Sequence, residues 1–132
     1  MELQTITVPD NTQLALYFWS NTTRLPKGCV LIIHGMMEHG QRYTEFADYL
    51  ANAGYHVYAY DHRGHGRTAS TNDLGHWEPD INWQTIVSDC DAVIEHIRST
   101  HRNLPLTLFG HSMGSFIALN TALVTLNPIT TM

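Results

Sequence analysis

The chain has 132 residues, 43% of them hydrophobic, and carries seven Lys and Arg against twelve Asp and Glu, for a formal charge of -5. That length and balance fit one globular domain with a real core, and no basic run exists that could follow a phosphate backbone, which excludes nucleic acid as an expected partner. The opening MELQTITVPD has no cationic segment leading into an apolar one, and aliphatic stretches such as VLII fall far short of a bilayer span, so no transmembrane segment and a cytoplasmic location are expected.

In chain order, the β-rich runs LQTITV and LALYFW flank Pro9-Asp10-Asn11-Thr12, which is turn chemistry, and predict an N-terminal antiparallel hairpin. CVLII is a continuous apolar run closed by His34-Gly35, the pattern of a strand buried on both faces. Tyr43, Phe46, Ala47 and Leu50 then recur at helical spacing, and Gly54 stands where that helix stops. A second buried strand, YHVYAY, follows. Residues 81 to 99 place Trp83, Ile86, Val87, Cys90, Val93, Ile94 and Ile97 on one face, which predicts an amphipathic helix capped by Asp80. The strand LTLF leads into a turn, and SFIALNTALV beyond it is apolar nearly all round, as an enclosed helix would be, ending at Asn127-Pro128. Cys29 and Cys90 fall on apolar faces and read as buried thiols in a reducing compartment.

Strands alternating with helices predict an α/β architecture: a mostly parallel sheet flanked by helices, with ligands bound at the carboxyl ends of its strands. Three segments leave strands at that end, HGMMEHG, DHRGHGR and GHSMGS. The last contains Gly110-His111-Ser112-Met113-Gly114, a Gly-x-Ser-x-Gly spacing between an apolar strand and a helix. That spacing places the serine on a sharp strand-to-helix turn, with Gly110 and Gly114 giving it clearance. A serine attacking an ester creates an oxyanion that needs preorganised N–H donors. One is expected from Met113 at the start of the following helix, and one from the loop after the first parallel strand, where Met36 is the candidate and Gly35 makes the turn. His111 is expected to face packed structure and His34 to serve the loop. The nine histidines lack the helical spacing and carboxylate partners of a zinc hydrolase, so neither His34 with His39 nor His62 with His65 is read as a metal pair, and no cofactor is expected.

LIIHGMMEHGQRY, YAYDHRGHGRT and LFGHSMGS, in this order and at these separations, resemble the lysophospholipase and monoacylglycerol lipase branch of the α/β-hydrolases, also called serine aminopeptidase-like, from about residue 28 to about 124. The resemblance implies Ser112 as nucleophile, the amides of Met36 and Met113 as oxyanion donors, and a small lipid-like ester as substrate. It gives Asp61, Arg63, Gly64, His65 and Gly66 a structural rather than chemical role.

In that fold a serine is followed by an Asp or Glu and then a His that take up and steady its proton. Residues 113 to 132 contain no Asp, Glu or His. The expectation is therefore a single truncated domain over residues 1–132, the amino-terminal half of an α/β-hydrolase fold without lid or carboxyl-terminal half. Three outcomes stay open: a serine ester hydrolase working through an acyl-enzyme, a catalytically inactive remnant, or complementation by a separate chain. Ending after the elbow helix leaves strand 104–109 as an apolar sheet edge, from which self-association is expected.

Overall fold

The computed structural model describes residues 1–132 apart from 22, 24, 70–73, 127 and 131. Strands β1 (Glu2–Thr7) and β2 (Gln13–Trp19) form the expected antiparallel hairpin, with Leu3 opposite Tyr17. Its turn is closed by Val8 N–H donating to the Thr12 carbonyl at 2.9 Å. Strand β3 (Gly28–Ile33), helix α1 (Thr44–Asn52), strand β4 (Tyr55–Tyr60), helix α2 (Trp83–Thr100), strand β5 (Leu106–Gly110) and helix α3 (Met113–Val124) follow. The sheet order is β1-β2-β4-β3-β5, with β4, β3 and β5 mutually parallel and β2 antiparallel to both of its neighbours, β1 and β4.

The apolar run of β3 is continuous because both of its faces are covered. Cys29, Leu31 and Ile33 point to the side of α2 and α3, where they meet Ile86, Cys90, Val93, Ile94, Ile97, Ile117 and Ala118. Val30 and Ile32 point the other way, to Ala47 and Ala51 of α1. The period-two alternation of a strand thus sorts one hydrophobic segment into two half-cores. Both cysteines are free and buried, and burial pushes each thiol up to about 11, so they act as packing groups.

Two helix ends differ from the sequence expectation. Asp80 does not cap α2. Asn82 does, in extended backbone, its side chain accepting from Thr85 N–H at 3.1 Å while Thr85 reaches back to the Asn82 N–H. A reciprocal cap needs its partners three residues apart, which Asn82 and Thr85 satisfy, and Ile81 just before joins Ile86 in the core as a hydrophobic staple. Helix α3 stops at Val124, with Thr125 extended, a little before Pro128; Asn127 lies outside the described residues. No helix among the described residues is long and apolar enough to cross a membrane.

Candidate active site

Strand register brings the three loops together. Ile33 is paired with Gly110 on one side and with Tyr60 on the other. His34-Gly35, His111-Ser112 and Asp61-His62 therefore leave adjacent strands at one level. Ser112 has φ 55 and ψ -121, a conformation that costs a non-glycine residue on the order of 1–3 kcal/mol and persists only where its surroundings enforce it. Its hydroxyl is not used to cap α3, and the residue is exposed.

The enforcing contacts come from the two glycines. A Cβ added at Gly110 would lie 2.5 Å from the Gly114 carbonyl oxygen, and one added at Gly114 would lie 1.9 Å from that of Ile33. The first turn of α3 rests directly on the end of β3, locked by His111 N–H donating to the Ile33 carbonyl (3.2 Å) and Gly114 N–H to that of His111 (2.9 Å). Met113 N–H belongs to this first turn, at the positive end of the helix dipole.

The loop after β3 touches this turn at Gly35. A Cβ there would stand 3.2 Å from Ser112 Cβ and 3.1 Å from the His111 carbonyl oxygen. Met36 comes next, 61% exposed, and Met37 follows in a left-handed conformation with φ 60. The sequence-derived residues Gly35, Met36, Gly110, Ser112, Met113 and Gly114 thus occupy two adjoining turns.

His111 departs from expectation. Its side chain is 60% exposed rather than packed, and its Nδ1 lies 3.1 Å from Glu38 Oε1. Glu38, which sequence reasoning passed over, is buried and gathers four groups. Its Oε1 accepts from Gly35 N–H (2.6 Å), Tyr43 O–H (2.9 Å) and His111 Nδ1–H, and its Oε2 pairs with Arg42 (3.2 Å). Burial alone would raise this carboxyl, but the hydrogen bonds from Gly35, His111 and Tyr43 outweigh it and hold the group at about 2. A lone acid in the run HGMME, three residues after the glycine of a strand-ending turn, was the available signal.

The loop after β4, to which the family resemblance gives a structural role, is held by side-chain hydrogen bonds. Buried Asp61 accepts from Gly40 N–H (2.7 Å), Tyr17 O–H (2.5 Å) and Arg67 N–H (2.8 Å), tying this loop to the one after β3. Arg63 donates to Asp89 on α2 through Nε (2.6 Å) and Nη2 (2.8 Å) and to Asp10 in the hairpin turn through Nη1 (2.6 Å). Those bonds, from Asp89 first, hold its guanidinium above its ordinary range. His34 donates from Nδ1 to the Gly35 carbonyl (2.7 Å) and accepts at Nε2 from His62 N–H (3.1 Å). His62 returns a bond from Nε2 to the His34 carbonyl (2.9 Å). The two rings lie 4.0 Å apart, and burial drives His34 down to about 4 and His62 well below its usual value, so both are neutral.

A five-stranded sheet with this order, three parallel strands and helices on both faces, bearing a serine on a strained strand-to-helix turn, defines the class of α/β-hydrolases. A family profile described as serine aminopeptidase, S33, matches residues 24–131, and the chain belongs to that family. It is 33% identical to a monoglyceride lipase homolog of Monkeypox virus, over 93% of this chain and 42% of the viral protein. It is 32% identical to the human monoglyceride lipase, over 86% of this chain and 35% of that protein. Among solved structures, a thermostable carboxyl esterase from Bacillus coagulans superposes with a TM-score of 0.84 at 30% identity, covering 93% of this chain and 40% of the esterase. A soluble variant of the Saccharomyces cerevisiae monoglyceride lipase, solved with a substrate analog, does so with a TM-score of 0.78 at 30% identity, over 92% and 38% respectively. The chain therefore spans about two fifths of the length of these relatives.

Proposed function

We propose that this chain carries the nucleophile and oxyanion donors of a serine hydrolase that cleaves carboxylic esters of lipid-like substrates, of the monoacylglycerol or lysophospholipid type, in the cytoplasm. The observation that carries the reading is exposed Ser112 at φ 55, its hydroxyl not used to cap α3, beside Gly35 of the loop that holds Met36. Relatives described as monoglyceride lipases and esterases support the substrate class. So do exposed apolar side chains near the turn, namely Met36, Met37 and Phe116, the last one helical turn beyond Ser112.

In this reaction Ser112 Oγ attacks the ester carbonyl carbon and its proton passes to a base. The carbonyl oxygen becomes an oxyanion facing the Met36 and Met113 amides. Collapse expels the alcohol, which takes the proton, and leaves an acyl-serine ester for water to cleave. Residues 113–132 hold no Asp, Glu or His, so the proposal assigns the base and its carboxylate to residues outside these 132, on the same polypeptide or another. The competing reading, an inactive remnant, draws on that same observation and predicts an inert serine. Fluorophosphonate labelling of Ser112 separates the two. The edge position of β5 and the apolar surface of α3 support self-association as part of the same proposal.

A further inference from the structure

The two turns that would make the active site belong to segments more than seventy residues apart, and each sends one donor to the same carboxylate oxygen. Gly35 N–H, at the root of the Met36 loop, lies 2.6 Å from Glu38 Oε1. His111 Nδ1, on the residue that precedes Ser112, lies 3.1 Å from that oxygen. We infer that Glu38 is a positioning residue: its carboxylate clamps the loop bearing the Met36 amide to the turn bearing Ser112, and so sets the distance between nucleophile and oxyanion donor. The inference rests on the reading of Ser112 and Met36 given above and adds a role for a group that touches neither the ester nor Ser112.

Three features make the clamp stiff. Glu38 has a side-chain exposure of 7%, so water does not compete for its oxygens. Its second partners come from the helical turn that follows, where Tyr43 O–H donates to the shared oxygen and Arg42 pairs with Oε2, which fixes the carboxylate's own orientation. The inner side leaves little room either, because even a methyl group at Gly35 would stand 3.2 Å from Ser112 Cβ and 3.1 Å from the His111 carbonyl oxygen. An ionised carboxylate only accepts, so Glu38 also requires the proton of His111 to sit on Nδ1. Charge-assisted bonds of this kind are shorter and stronger than neutral ones, which suits a part whose function is distance.

The test compares Glu38→Ala and Glu38→Gln with the unaltered chain in two measurements. In amide NMR spectra of the folded proteins, Glu38→Ala is expected to shift the Gly35, Met36, His111 and Ser112 signals together, while those of α2 stay in place. In phosphonylation of Ser112 by an alkyl fluorophosphonate, Glu38→Ala is expected to lower the inactivation rate constant on the order of 100-fold, with probe affinity unchanged, since a misplacement of about 1 Å costs that much in rate. Glu38→Gln keeps an acceptor for Gly35 N–H and is expected to recover part of the loss; it also serves where the alanine variant does not fold. Unmoved Met36 and Ser112 signals, or phosphonylation of both variants at the original rate, would overturn the clamp. An unaltered chain inert to the probe, with amide signals that still move together in the variants, would remove the proposed function and leave the clamp standing.

Discussion

Gly114 of α3 packs on Ile33 of β3 so closely that a single added methyl group would lie 1.9 Å from the Ile33 carbonyl oxygen. Backbone on both sides leaves no flexible side chain to yield. Gly114→Ala must therefore lift the first turn of α3 off the sheet, at a cost of about 1–3 kcal/mol or more. Urea unfolding should show that loss, accompanied by weaker protection of the Gly114 and Ser115 amides from hydrogen exchange. A variant as stable as the parent would contradict the packing described.

Acid should destabilise the fold in a defined window. Burial lowers His34 to about 4 and takes His62 well below its usual value, so both rings stay neutral in the folded chain while the unfolded chain binds protons below pH about 6.5. The unfolded state then holds more protons, and stability is complete above that pH and falls as pH drops toward 4. His34 alone accounts for a loss on the order of 3 kcal/mol. Glu38, held at about 2, adds a loss of the same sign in the lower window between its ordinary 4.5 and that value. Urea midpoints across the upper window should decline, and His34→Asn should flatten the slope there. Midpoints that hold steady or rise on acidification would count against the buried neutral pair.

Self-association has a specific surface to use. Strand β5 is a sheet edge, its Phe109 is 38% exposed, and α3 exposes Phe116, Leu119, Leu123 and Val124. The start of that edge is already occupied, because Thr130 N–H donates to the Leu106 carbonyl at 2.8 Å and Leu106 N–H reaches Thr130 Oγ1 at 3.2 Å. Contact between chains is therefore expected through the apolar face and the later part of the strand. Sedimentation velocity should show mass rising with concentration, reduced by Phe116→Glu with Leu123→Glu. A monomer throughout the range, unaffected by those changes, would rule it out.

What could be read before the structure depended on how local the signal is. The strands and their two-sided burial were legible in CVLII and YHVYAY, because contacts on both faces leave few polar positions, His56 at the half-exposed start of β4 being the exception. The glycine pattern around Ser112 was legible from its spacing between an apolar strand and a helix, and Gly110 acts on neighbours within a few residues, whereas the contact that requires Gly114, with Ile33, lies in another strand. The start of α2 was misplaced by two residues, since Asp80 and Asn82 are both cap-forming types and only the reciprocal bond with Thr85 chooses between them. His111 was expected to be packed, and its outward ring follows from a partner in another segment. Glu38 was missed for the same reason: its decisive bond spans 73 positions, and no local period carries it.

Mass spectrometry of the folded chain after prolonged exposure to an alkyl fluorophosphonate reads the reactivity of Ser112 itself. On the proposed reading, a strained serine with two oxyanion donors retains reactivity even without its base, because oxyanion stabilisation and binding alone supply about 10³-fold over water. One adduct per chain is expected, located on Ser112 rather than Ser115, slow to form and abolished by Ser112→Ala. A folded chain that takes up no label, or takes it up elsewhere, would contradict that reading.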